Sequence, residues 1–158
     1  MVSPPRFLAL ASLLALLWPQ PAPAAEGAAG TEAAGQIAFE IRGARSDNGH
    51  VHVSLFAKPD GFPSKRQKAI HTEIIPIVDG VSVGSFEDVE YGKYAISVFH
   101  DENDDNELET NFFGMPKEGV GTSNDPKPRL GPPRWTDAAF ELAEPEFSAQ
   151  ITMRYLGS

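Results

Sequence analysis

The sequence predicts an all-β fold, a single antiparallel β-sandwich of about seven short strands with one long Gly/Pro-rich loop. Three observations carry that expectation. Apolar and polar residues alternate with a period of two in segment after segment, turn-forming pairs such as Asp79-Gly80 separate the segments, and no stretch beyond residue 25 has helical periodicity. Seven such strands in a chain of this length bury one core between two sheets.

Residues 36–43 set Ile37, Phe39 and Ile41 on one face. Gly43 and the run Asp47, Asn48, Gly49 then mark a turn, so a hairpin is expected with residues 50–57. There Val51, Val53 and Leu55 face inward, while His50, His52 and Ser54 point to the solvated side. Residues 58–69 are a loop with most of the local positive charge. Residues 70–78 are apolar but include Pro76, which lacks a backbone donor and so suits a sheet edge. Asp79-Gly80 closes a tight turn into residues 81–86, where Val81 and Val83 alternate with Ser82 and Gly84. In residues 93–100, Tyr94, Ile96 and Val98 alternate with Ala95, Ser97 and Phe99. Five prolines and four glycines in residues 113–137 stop any helix or strand from propagating far, and Phe112, Phe113 and Trp135 are expected to pin this excursion to the body. Residues 138–142 and 147–155 supply the last strands, the second with Phe147, Ala149, Ile151, Met153 and Tyr155 on one face.

Residues 1–24 read as a signal peptide: Arg6 gives the positive start, residues 7–18 are apolar, and Ala22, Pro23 and Ala24 suit cleavage. The apolar run is shorter than the roughly 20 residues of a membrane span, so the expected location is periplasmic or secreted, with no membrane anchor after cleavage. Residues 25–35 form a flexible linker and residues 36–156 the single domain. The chain carries −9; loss of Arg6 leaves 12 basic residues against 22 acidic ones, or −10. That balance disfavours nucleic acid and anionic lipid as partners and favours cations. Cysteine is absent, which excludes disulfides and lipid attachment through an N-terminal cysteine.

The chemistry concentrates after residue 100. Asp101, Glu102, Asp104, Asp105, Glu107 and Glu109 place six carboxylates in nine residues with no Lys or Arg among them. Asp101, Asn103, Asp105 and Glu109 are spaced i, i+2, i+4 and i+8, with Glu107 able to offer its carbonyl. Oxygen ligands at alternate positions let a short loop curl round calcium. The match is partial, because Asn106 stands where such loops carry Gly and Phe112 where they carry a bidentate Glu. The competing reading is a solvated acidic loop without an ion. His50 and His52 on one strand, with His100 nearby, fit a transition metal less well than polar residues on a wet sheet face. Enzymatic activity is not expected: there is no Cys and no G-x-S-x-G, Ser123 has no evident base, and six carboxylates on one loop lack the separate environments that acid/base pairs need. Phe112, Phe113, Met115 and Trp135 are candidate contacts for a protein, peptide or glycan partner, against the alternative that they cover an end of the sandwich. Calcium, if held, orders the Gly/Pro-rich excursion beside it.

Phe86 to Asn103, FEDVEYGKYAISVFHDEN, followed by Thr110 to Asn124, TNFFGMPKEGVGTSN, resembles DUF2141, a bacterial family of uncharacterised secreted proteins. The resemblance covers roughly residues 36–155. In that family an Asn-Gly pair and then an Asp typically follow H-D-E-N; here Asp105, Asn106 and Glu109 stand at those places. The portion F-x-x-V-x-x-G-x-Y-A-I-x-V is also similar to transthyretin-like and carboxypeptidase-regulatory-like sandwiches, which implies an Ig-like or prealbumin-like architecture and no particular activity.

Overall fold

The period-two run after Gly92 becomes the central strand. In a computed structural model, described over residues 33–127 and 131–156, β5 (Gly92–Asp101) pairs with β2 (His50–Phe56), with β6 (Gly119–Thr122) along its last residues and with β7 (Phe140–Leu142) along its first. β3 (His71–Pro76) extends this sheet beyond β2, and β9 (Arg154–Tyr155) extends it beyond β6. A second sheet runs β4 (Val81–Glu90), β1 (Ala34–Arg42), β8 (Glu146–Thr152). The described residues thus form an all-β unit of two sheets and nine strands, two more than the seven expected.

One core draws on both sheets. Ile37, Phe39 and Ile41 of β1 meet Val51, Val53 and Leu55 of β2 and Tyr94, Ile96 and Val98 of β5, as the alternation requires. The tight turn expected at Asp79-Gly80 is present, both residues having positive φ (53° and 74°) between mutually bonded Val78 and Val81. Pro76 ends β3, the edge strand of the larger sheet, where a missing donor costs nothing.

Several expectations need correction. Residues 36–43 and 50–57 do not form a hairpin: β1 pairs with β4 and β8, β2 with β3 and β5, and their connection passes between sheets. The fold is not wholly antiparallel, since β1 and β8 run parallel from Gln36↔Glu146 to Arg42↔Thr152. In β4 it is Ser82 that is buried and Val83 that is exposed, because Ser82 Oγ donates to the Pro76 carbonyl at 2.8 Å. Residues 113–137 contain β6 and a short helix, α1 (Trp135–Ala138). β6 needs its glycines: a Cβ on Gly119 would lie 2.7 Å from the Tyr155 ring, and one on Gly121 2.8 Å from Ile151. They admit a close neighbour, and the strand survives them. β1 begins at Ala34, inside the expected linker, while the expected signal peptide lies outside the described residues. Among the described residues no helix is long and apolar enough to cross a membrane.

Candidate functional site

The acidic stretch leaves β5 at Asp101, whose side chain is 1% exposed. Its carboxylate accepts hydrogen bonds from the backbone N–H of Asp105 (3.2 Å) and Asn106 (2.8 Å), and Oδ2 lies 3.1 Å from His52 Nε2. Asn103 Oδ1 accepts from Asp105 N–H (3.3 Å) and Asp105 Oδ1 from Glu107 N–H (2.8 Å). The loop therefore curls round its own side-chain oxygens at alternate positions. Asn106, with φ +65°, takes the left-handed conformation that its place in a calcium-type loop demands.

A second buried carboxylate, unforeseen in the sequence, closes the loop. Glu118 accepts from Glu102 N–H through Oε1 (3.1 Å) and from Glu109 N–H through Oε2 (3.0 Å), so one side chain clamps both ends of the acidic stretch. Cations from elsewhere reduce its self-repulsion, as Arg45 pairs with Glu102 and Lys117 is 3.8 Å from Glu109, and His50 Nδ1 lies 2.6 Å from Asp104 Oδ1. Glu107 and Glu109 have exposed side chains. Among the described residues no three His, Asp or Glu side chains already converge as a metal cluster. The histidines in particular do not meet: His50 turns to Asp104, His52 to Asp101, and His100 is 2.7 Å from both Tyr155 Oη and the Asn48 carbonyl.

On the face of the larger sheet that carries His52 and Ser54, the imidazole is covered, not solvated. His52 is 1% exposed, stacked on Phe99 at 4.5 Å between ring centres, with Nδ1 buried and unpartnered. Cover comes from the 57–69 connection, where the Pro63 carbonyl accepts from Ser97 Oγ (2.8 Å) and the Arg66 guanidinium sits 5.7 Å from the Phe99 ring centre. Burial, with Arg66 nearby, lowers the pKa of His52, partly opposed by Asp101. A base whose pKa is depressed on folding stays neutral while its unfolded counterpart protonates. Its contribution to stability is thus full above about pH 6.5 and is lost as pH falls from there through the folded pKa. Urea midpoints measured at pH 7.5 and 5.5 should drop with acid in the wild type and drop less in His52→Gln; equal drops would remove His52 from the account.

Beside this face lies an open cleft of about 1470 Å³. Register places Thr72, Ser54, Ser97 and Thr122 in one row across β3, β2, β5 and β6, and all four line it. At its mouth stands the turn after the acidic loop. Asn111 Oδ1 accepts from the N–H groups of Phe113 (2.9 Å) and Met115 (3.0 Å), and Asn111 N–H donates to the Met115 carbonyl (2.8 Å). This ordered turn holds Phe112 98% and Phe113 83% exposed, their rings packed edge to face at 5.6 Å. They do not pin the excursion to the body. Trp135 does so instead, half-buried with Nε1–H donating to the Phe56 carbonyl at 3.4 Å.

The acidic loop and the aromatic residues are legible in the sequence, whereas Glu118, the His52–Asp101 contact, Arg66 and the hydroxyl row are not. Only cross-strand register, which no local pattern encodes, brings these together. No curated protein and no solved structure matches the chain. A family model described as an uncharacterised protein conserved in bacteria matches residues 39–150, and the chain therefore belongs to that family, DUF2141.

Proposed function

We propose that this chain is a non-enzymatic binding module of the periplasm or the extracellular space, an Ig-like or prealbumin-like β-sandwich that engages a protein, peptide or glycan through Phe112, Phe113 and Met115. One observation carries the reading: two almost fully exposed phenylalanines are held on a turn in which the N–H groups of Asn111, Phe113, Gly114 and Met115 are all hydrogen-bonded. Exposed aromatic surface in a fixed conformation binds without further ordering cost. Trp135 fixes the flanking segment. A non-enzymatic role agrees with the chemistry, since Asp101 and Glu118 spend their carboxylates on backbone N–H groups and Ser123 Oγ donates to the Ala138 carbonyl at 2.6 Å. Export rests on the character of residues 1–24.

Calcium is the second part of the reading, favoured by the alternate-oxygen curl of Asp101, Asn103 and Asp105. Glu109 and the Glu107 carbonyl complete the ligand set when the ion draws the loop together. The same ion stiffens the adjoining turn, because Lys117 N–H donates to the Glu109 carbonyl (3.0 Å) across its base.

The binding role is tested by screening immobilised wild-type protein against a panel of neutral and acidic glycans and of envelope-derived peptides. At least one class should be retained, and Phe112→Ser with Phe113→Ser should lose it while unfolding within about 0.5 kcal/mol of wild type, as exposed positions do. Retention of nothing, or of the same ligands by the double variant, contradicts the reading.

A further inference from the structure

We propose that the ligand of the cleft is an acidic oligosaccharide, its carboxylates held by Arg66 and Arg154 and its hydroxyls by Ser54 and Thr122. This rests on the binding-module reading and names its ligand class. The first observation is an imbalance of pairing. Of the five described arginines, Arg42, Arg45 and Arg134 pair with carboxylates; Arg66 and Arg154 pair with none among the described residues, and both line this cleft. Arg66 donates one N–H to the Asn106 carbonyl (3.3 Å) and keeps Nε buried and unpartnered. Guanidinium groups left open beside a cleft are suited to a carboxylate, which they bind in a fixed planar geometry.

The second observation is independent of charge. Ser54 is 2% and Thr122 6% exposed, both line the cleft, and neither hydroxyl makes a hydrogen bond among the described residues. Neither hydroxyl oxygen is among the fully buried unpartnered atoms of the described residues, so both stay open to a ligand in the cleft. A hydroxyl both donates and accepts, and a sugar hydroxyl is the ligand group that answers both at each position. Register sets Arg154 opposite Val120, which faces Phe99, so an arginine, an apolar strip and the guanidinium above Phe99 lie in one row beside the row of hydroxyls. That order suits a ring with a polar rim and apolar C–H faces. An acidic peptide would satisfy the arginines too, but it meets hydroxyls with separate donors and acceptors on a chain that has no ring to lay on the apolar strip.

The test is affinity electrophoresis of the folded protein in gels containing polygalacturonate, neutral dextran or poly-glutamate. Retardation is expected in polygalacturonate alone. Arg66→Gln and Arg154→Gln should each weaken it about tenfold or more, as loss of a hydrogen bond to a charged group does, and Thr122→Val should weaken it about fivefold. Among the described residues Arg154 makes no ion pair, so its variant keeps the fold, which circular dichroism verifies. No retardation by polygalacturonate, equal retardation by poly-glutamate, or retardation unchanged in both arginine variants overturns the proposal. If polygalacturonate fails while the wider panel still yields a ligand that depends on the phenylalanines, the sugar assignment falls and the binding module stands.

Discussion

Asp101→Ala is expected to destabilise the protein by about 3 kcal/mol. Asp101 is 1% exposed and serves three donors at once, the backbone N–H groups of Asp105 and Asn106 and the His52 ring. Alanine strands all three, and each unpaired buried donor costs about 1–3 kcal/mol, discounted where the loop can open to water. The loss should be local as well as global: amide exchange at Asp105 and Asn106 should accelerate well beyond the change in overall stability. Asp101→Asn keeps one acceptor oxygen and should fall between wild type and alanine. A cost below about 1 kcal/mol for alanine would show that the loop stands without its anchor.

The second large effect is expected at Gly49, where φ is +68° and an added Cβ would lie 1.8 Å from the Asp101 carbonyl oxygen. Both terms act together. A non-glycine residue in a sparsely populated backbone region costs about 1–3 kcal/mol, and the clash is with backbone that cannot rotate away. Gly49→Ala should therefore cost about 3 kcal/mol or more and disturb the acidic loop, since the displaced carbonyl belongs to its first residue. Gly114→Ala is the control. Its φ is +74° but nothing lies within 4 Å of the added Cβ, so only conformational strain of about 1 kcal/mol is expected. Equal midpoints for the two variants in chemical denaturation would mean that the close approach at Gly49 has no energetic consequence.

Much of the fold was legible in the sequence because period-two alternation has one physical cause, a strand with a dry face. Ile37, Phe39, Ile41, Val51, Val53 and Leu55 are buried where the alternation puts them. Which strands pair was not legible. The β1–β2 turn looked like a hairpin because Asp47 and Gly49 favour tight turns, yet Asp47 instead accepts from the N–H groups of Asp79 (3.0 Å) and Gly80 (2.8 Å), tying two connections together. Gly119 and Gly121 read as strand breakers, whereas their missing side chains make room for Tyr155 and Ile151. The acidic loop showed itself by local spacing, and Asn106 took the conformation the spacing demanded. Glu118 did not, since it lies sixteen residues from Glu102 and one carboxylate among many carries no local mark. The covered histidine was missed for a similar reason: His52 looks solvated until Arg66 folds over the Phe99 ring on which it stacks.

We propose that calcium makes one mechanical unit of the acidic loop and the turn that presents Phe112 and Phe113. Thermal unfolding in EDTA and in about 1 mM calcium, with magnesium as control, tests that most directly. A dissociation constant of about 0.1 mM, within the range of extracellular sites, would add about 1.4 kcal/mol and raise the midpoint by about 4 °C. Asp105→Asn retains the oxygen that caps Glu107 and gives up the one that accepts from Asn103 Nδ2–H, an exposed bond, so it should unfold within about 0.5 kcal/mol of wild type in EDTA and lose the calcium-specific rise. A wild-type midpoint that calcium leaves unmoved, or moves no more than magnesium does, contradicts the account.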